Sequence, residues 1–240
     1  IGGLNMATGQ FFHPPSLIGE SVRFGWNTVK RNIGFFIGPM IVWGLISAVL
    51  GNATNITNIT FIILFYVLYL VIWMGLIRIS LRFCDNERAK FSHLFSCFPL
   101  FFKYLLGSIL FLLIVLAGMI LLIVPGIIWG MKYMFFSYFI VDKGLGPIKS
   151  LKESSAITDG FKWDLFCFFL FFLGIYFLGY LPLLIGMLTR QGVIVLVGAL
   201  SGLINLFLTT PTMLVALAFF YRKLLGEAQP AETHSNPREG

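Results

Sequence analysis

One lysine lies inside a long apolar stretch, and its position is the strongest hint of chemistry in this chain. Lys132 stands in the run PGIIWGMKYMFFSYFIV, ten residues before Asp142. A lysine at the centre of a membrane helix costs roughly 2.5 kcal/mol or more on insertion scales, and no apolar span here supplies a carboxylate partner. Two interpretations stay open: an anion or headgroup site facing the bundle interior, or a lysine whose stem reaches the interface from a short, tilted span.

A second polar group lies in the last apolar run, where Asn205, Thr209, Thr210 and Pro211 follow one another closely. Proline removes a backbone donor, and neighbouring threonine hydroxyls can cover the freed carbonyls. Broken helices of this kind occur at transporter binding sites, and they also occur as plain packing kinks. Convergence of this group with Lys132 on one polar cavity would favour the functional interpretation.

Three further lysines follow Lys132 in the segment VDKGLGPIKSLKESSAITDG, at Lys143, Lys149 and Lys152. The segment is rich in glycine, lysine and serine, but the phosphate-loop order GxxxxGK[ST] is absent, which argues against a nucleotide site. A glycine-rich turn before a helix that begins with proline explains the pattern without a ligand. We expect the three lysines to meet anionic lipid headgroups.

Residues that commonly carry catalysis or bind metals are scattered. No Ser–His–Asp order, paired intramembrane carboxylate or metal-ligand spacing is present, and the cysteines show no CxxC spacing. We therefore predict no enzyme activity, no cofactor, no metal and reduced cysteines. The residues concerned are His13, His93, His234, Cys84, Cys97 and Cys167.

The elements that must position these residues are membrane helices. The chain of 240 residues is 58% hydrophobic and only 11% charged, whereas soluble domains are about a quarter charged. Apolar stretches of roughly 18 or more residues recur, each long enough to cross a bilayer. The net charge of +7 comes from basic residues beside those stretches, which is typical of membrane topology and not of nucleic-acid binding. The sequence predicts an all-α integral membrane protein.

The basic residues also predict how many helices cross and which way. Four segments between or outside apolar runs hold 15 of the 17 Lys and Arg residues. Such segments stay in the cytoplasm, which predicts both termini inside and excludes a five-span arrangement that merges the third and fourth runs. The six predicted spans are 33–50, 59–77, 104–124, 125–141, 165–187 and 193–221.

Amphipathic helices are predicted at the membrane interface before spans one, three and five. The first carries Ile18, Val22, Trp26 and Val29 at helical spacing. The second is an apolar stripe over 91–102, and the third begins at Pro147 with a weaker apolar face of Ile148 and Leu151. The predicted organisation is an N-terminal segment 1–32, a membrane domain 33–225 and a disordered cytoplasmic tail 226–240.

The fourth span and the segment after it resemble a widespread class of bacterial six-span membrane proteins. This class includes the YciC-like, DUF975-like and glycerophosphodiester phosphodiesterase membrane-domain groups. The resemblance covers about 40 residues closely and implies the six-span fold, without implying an activity, since the phosphodiesterase is a separate soluble domain. It rests on Pro125-Gly126, Lys132, Asp142, Gly146-Pro147, Ser154 and Gly160-Phe161.

Two functions are consistent with these observations. The first is a non-enzymatic accessory or scaffolding subunit of a membrane complex, held by its apolar and aromatic surface to a membrane-protein partner or to further copies of itself. The second is a transporter or lipid-handling protein with an anion or headgroup site at Lys132. Both place the chain in the bacterial inner membrane, among lipids with anionic headgroups on the cytoplasmic side.

Overall fold

The computed structural model describes residues 15–51, 59–87, 91–94 and 96–228, and these residues form nine α-helices and two short 3-10 helices without a strand. The predicted tail lies outside the described residues from 229 onwards. The helices are α1 (Pro15–Arg31), α2 (Ile33–Gly51), α3 (Ile59–Cys84), α4 (Phe101–Leu121), α5 (Ile123–Tyr133), α6 (Phe136–Lys143), α7 (Pro147–Ile157), α8 (Lys162–Thr189) and α9 (Gly192–Ala228).

Five stretches of the described chain are long and apolar enough to cross a membrane. Together with the helical content, they are consistent with a multi-pass membrane protein. The first predicted span corresponds to α2, which is helical but is not among the five, so six spans with both termini inside stay a prediction. The five stretches are Tyr66–Cys84, Phe98–Leu121, Ile123–Lys143, Lys162–Thr189 and Gly192–Gly226.

The fourth predicted span is two helices rather than one. The chain reverses direction at Leu122, whose backbone is extended with φ −167° and ψ 150°, so Pro125 lies in the first turn of α5 and not in the reversal itself. The helix then stops at Tyr133, and α6 begins at Phe136. The break at residues 134–135 leaves backbone groups that need partners from elsewhere in the protein.

Glycines bring α8 and α9 into close antiparallel contact. A Cβ atom on Gly198 would meet the backbone of Leu183, and one on Gly186 would lie 2.5 Å from the Val195 nitrogen. Association of helices in lipid depends on such close packing, because lipid tails remove the hydrophobic driving force between helices. The two glycines therefore fix the register of this helical pair.

Helix α1 packs antiparallel on the final part of α9 through small residues. Its buried positions recur every four residues at Leu17, Ser21, Gly25 and Val29, and a Cβ atom on Gly25 would lie 2.6 Å from the Thr212 carbonyl oxygen. The buried face thus differs from the predicted apolar stripe, in which only Val29 is shared. The bulky residues of that stripe lie toward its edges, with the Trp26 side chain 39% exposed.

The segment before α4 was predicted as one amphipathic helix, and that prediction is wrong for the residues described. They form two short 3-10 helices, Phe91–Leu94 and Phe98–Leu100. Pro99 has no backbone N–H and favours a helix start at this point. Leu94 packs closely against α3, where a Cβ atom on Gly75 would overlap the Leu94 backbone, and Cys97 is fully buried.

Helix α7 begins at Pro147, as the sequence predicts, and Gly160 lies beyond its end with φ +86°. The two residues of its predicted apolar face differ in environment, since Ile148 is 76% exposed while Leu151 is buried. The buried face also contains Ser150 and Ser154. Buried hydroxyls need hydrogen-bond partners, so the buried face of α7 must meet polar or backbone groups.

Gly198→Ala should destabilise the protein because the added methyl overlaps the Leu183 backbone. We expect the free energy of unfolding to fall by about 1–3 kcal/mol, the usual range for overpacking. Gly174→Ala is the matched control, since nothing lies within 4 Å of the added Cβ there. Reversible denaturant unfolding in detergent micelles measures both, and equal stability of the two variants would contradict the α8–α9 packing.

Candidate functional site

The break between α5 and α6 is bridged by a serine hydroxyl from α7. The Phe135 N–H donates to Ser154 Oγ at 3.0 Å, and the same hydroxyl donates to the Lys132 carbonyl oxygen at 3.1 Å. Ser154 is fully buried. One side chain therefore replaces the backbone hydrogen bonds that the break removes, and it ties α7 to this point.

Thr158, at the end of α7, strengthens the same junction. Its hydroxyl lies 2.9 Å from the Lys132 carbonyl oxygen and 2.9 Å from the Ser154 carbonyl oxygen. It can donate its hydrogen bond to either of them. The residue is fully buried. The Lys132 carbonyl thus has two hydroxyls within reach in a place where water is excluded.

This arrangement places Lys132 near the polar end of the bundle. Because the helix breaks directly after Tyr133, the ten residues between Lys132 and Asp142 do not form one straight helix. Their number therefore does not give the depth of Lys132 in the bundle. The Lys132 ammonium lies 5.5 Å from the centre of the Tyr133 ring. It also contributes to lowering the pKa of the exposed Asp159 carboxyl, after the hydrogen bond and charge of Lys162, which are the larger causes.

Within the described residues, no ion pair or hydrogen bond from the Lys132 ammonium links it to the bundle. Ser137, the first serine after Lys132 in the same run, donates to the Met134 carbonyl at 3.4 Å. Lys132 is half-buried. Its geometry agrees with a lysine that reaches toward the interface, and it leaves the ammonium available to an anion there.

The polar group of α9 is engaged with α8 instead. Asn205 donates through Nδ2 to the Ile175 carbonyl at 2.8 Å, filling a notch that exists because Gly179 has no side chain. Thr210 Oγ1 and Tyr176 Oη are 2.8 Å apart. Asn205 Oδ1 is buried without a partner in the part of the chain that the structure describes.

Pro211 does not interrupt α9, which runs as a single helix from Gly192 to Ala228. Pro211 and its neighbour Thr209 are buried, and Thr212 donates to the Leu208 carbonyl at 2.6 Å. These residues serve helix packing. Lys132 of α5 contacts α7, whereas the Asn205–Pro211 group of α9 contacts α8. No hydrogen bond between described residues joins the two predicted groups.

The remaining predicted lysines surround the turn between α6 and α7. Lys143, Lys149 and Lys152 are exposed, and the Lys143 ammonium lies 5.3 Å from the centre of the Phe139 ring. Lys103 of α4 joins them by donating to the Gly144 carbonyl at 2.8 Å. None of the four pairs with a carboxylate in the described chain, so the turn presents a basic surface.

The strongest electrostatic feature was not predicted. Arg222 of α9 donates through both terminal nitrogens to Asp142 of α6, at 2.7 and 2.9 Å, and through Nη2 to Asp85 after α3, at 2.6 Å. Tyr221 Oη donates to Asp142 at 3.2 Å. A guanidinium that binds a carboxylate with two parallel hydrogen bonds fixes orientation as well as charge.

This cluster joins the residue after α3, the last turn of α6 and the final part of α9 at one end of the bundle. Its sequence signal is that Asp85, Asp142 and Arg222 each follow an apolar run at a predicted cytoplasmic end. Equal depth in the membrane would bring such residues together. The arrangement is structural, because Arg222 is engaged by both carboxylates, with side-chain exposures of 17% for Asp142 and 39% for Asp85.

No family model, curated protein or solved structure matches this chain. The resemblance to bacterial six-span proteins stays a prediction. Several residues on which it rests have clear structural positions: Gly126 contacts α4 at Met119, Asp142 pairs with Arg222, and Ser154 bridges the helix break. In the described chain, no group of three or more His, Cys, Asp or Glu residues could hold a metal.

Ser154→Ala should weaken the α5–α6 junction, because the Phe135 N–H loses its buried acceptor. We expect a loss of about 1–3 kcal/mol in unfolding free energy and faster hydrogen exchange at the Phe135 amide. Ser155→Ala is the control, since the neighbouring hydroxyl makes no hydrogen bond among the described residues. Unchanged exchange at Phe135 would disprove the bridging role.

Arg222→Gln should destabilise the bundle more than loss of a surface ion pair, because it leaves the Asp142 carboxylate without its guanidinium. We expect the free energy of unfolding to fall by about 1.5–3 kcal/mol, the range for hydrogen bonds to charged groups. Lys162→Gln is the comparison: its partner Asp159 is 77% exposed, and such pairs contribute about 0–1 kcal/mol. The same unfolding assay applies, and equal losses would contradict a special role for Arg222.

Proposed function

We propose that this protein is a non-enzymatic accessory or scaffolding subunit of a membrane complex. The observation that carries the proposal is how its intramembrane polar groups are used. Asn205, Thr210 and Ser201 each hydrogen-bond α8, at Ile175, Tyr176 and Gly179 respectively. Groups that hold helices together support a fixed bundle rather than a path for a solute.

The surface left for a partner is apolar and extensive. Helix α4 contacts α5, α6 and α7 on one side, and it exposes a face of large side chains at helical spacing on the other. Small residues and shape, rather than apolarity, decide whether lipid or protein covers such a face. Its exposed residues are Leu106, Ile109, Leu113, Leu116 and Ile120.

The test is capture from native membrane at defined positions. A photo-crosslinking amino acid replaces Leu113 on α4, Leu173 on α8 or Ile37 on α2, all of which are exposed. The full chain is then irradiated in the membrane, extracted with its surrounding lipid and analysed by mass spectrometry. We expect one membrane protein, or a second copy of the chain, to be linked from one face and not from the other two.

Two outcomes would contradict the accessory role. Crosslinks to lipid alone from all three faces would show that no stable partner covers the helices. Equal crosslinking of many unrelated proteins from every face would show random collision in the membrane. The three positions control one another because each introduces the same reactive group on an exposed apolar helix.

A second candidate is a lipid-handling protein with an anion or headgroup site at Lys132. It is supported by the half-buried Lys132 and by the basic surface that Lys103, Lys143, Lys149 and Lys152 form at the turn between α6 and α7. Native mass spectrometry of the extracted chain distinguishes it. An anionic lipid that is lost in Lys132→Gln but kept in Arg190→Gln would favour this candidate, and equal retention in both variants would reject it.

A further inference from the structure

A cavity of about 460 Å³ lies at the elbow between α1 and α2, beside the end of α3. This volume is within the roughly 300–1,000 Å³ of small-molecule sites. Asn32 is the turn residue between the two helices, and Asn86 follows α3 with φ +56°. The lining residues are Phe24, Thr28, Arg31, Asn32, Phe35, Phe83, Asn86 and Glu87.

One side of this elbow cavity is aromatic and held in place. Phe35 and Phe83 meet edge to face with ring centres 5.9 Å apart. Phe24 stacks on Phe219 of α9 at 4.6 Å. Rings fixed by other rings give a rigid apolar wall, which suits the glycerol and first methylenes of a lipid better than a fully hydrated solute.

The rim of the cavity carries charges of both signs. Arg31 supplies an exposed guanidinium that forms no ion pair within the described residues. Glu87 supplies a carboxylate that also pairs with Arg82 at 3.0 Å. Asn32 uses its Nδ2 to donate to the Thr28 carbonyl at 2.9 Å, and its Oδ1 can accept a hydrogen bond from a ligand.

We propose that the elbow cavity binds the headgroup of a phospholipid with a primary ammonium, the chemistry of phosphatidylethanolamine. Arg31 binds the phosphate, Glu87 and Asn32 Oδ1 accept hydrogen bonds from the ammonium, and the phenylalanine rings contact the glycerol. This binding site is separate from Lys132 and does not depend on the accessory role.

The position of the cavity explains why a lipid is the expected ligand. It lies where α2 begins and α3 ends, beside Asp85 of the Arg222 cluster, at the polar end of these apolar helices. On α2, which leaves the cavity at Asn32, the side chains of Ile33, Ile37 and Ile41 are exposed at a spacing of four. That spacing forms an apolar strip along which acyl chains can lie.

The test titrates the purified full chain with phosphatidylethanolamine, phosphatidylcholine or phosphatidylglycerol of identical acyl chains and counts bound lipid by native mass spectrometry. Trimethylation in phosphatidylcholine keeps the charge and removes the N–H donors. We expect phosphatidylethanolamine to bind about tenfold more tightly than phosphatidylcholine, which is about 1.4 kcal/mol. Arg31→Gln should weaken the binding of all three lipids. Glu87→Gln should abolish the preference for the primary ammonium.

Controls separate the cavity from general surface charge. Lys30→Gln removes the neighbouring charge, whose ammonium lies over the Trp26 ring outside the cavity, and should leave binding unchanged. Arg82→Gln breaks the pair with Glu87 but keeps the rim carboxylate, so the preference should persist. Thr28→Phe fills the cavity and should remove binding without changing the thermal unfolding midpoint.

Three results would overturn the proposal. Equal losses in Arg31→Gln and Lys30→Gln would show attraction to surface charge alone. Tightest binding of phosphatidylglycerol, unaffected by Glu87→Gln, would make the cavity a site for anionic headgroups. Full binding by Thr28→Phe would place the bound lipid elsewhere on the protein.

Discussion

The hydroxyl of Ser154 is the contact on which the arrangement of the polar end depends. A helix that breaks inside an apolar bundle must find new partners for its backbone groups, since an unsatisfied buried group costs about 1–3 kcal/mol. Ser154 both accepts from Phe135 and donates to Lys132. It thereby fixes the end of α7 beside the break, which in turn places Lys132 near Asp159.

Close packing and charge pairing then connect the rest of the bundle. Glycines let α8 and α9 approach closely, and Gly25 does the same for α1 and α9. At the polar end, Arg222 links α9 to Asp142 and Asp85. These contacts are short and directional, as expected where lipid competes equally for every apolar side chain.

Local composition predicted the helices, and long-range contacts explain the errors. Hydropathy located α2 as residues 33–50 against the observed Ile33–Gly51, because each run depends only on its own residues. The α5–α6 break escaped prediction because its stabilising serine comes 19 residues after Phe135. The α1 face that packs on α9 could not be read from the apolar stripe, because the close approach to α9 uses Ser21 and Gly25. For the candidate site, the exposed lysines were predicted, but the partners of Asn205 and Arg222 required the three-dimensional contacts.

The contact of α1 with α9 has a consequence for biosynthesis. The ribosome makes α1 before the other described helices and α9 after them, so the α1 face that packs on α9 is made long before its partner. At roughly 5–20 residues per second, this interval is on the order of ten seconds or longer. During it, the side of α1 that carries Ser21 and Gly25 has no α9 to cover it. The nascent chain must therefore keep this face of α1 unpacked until α9 has been made.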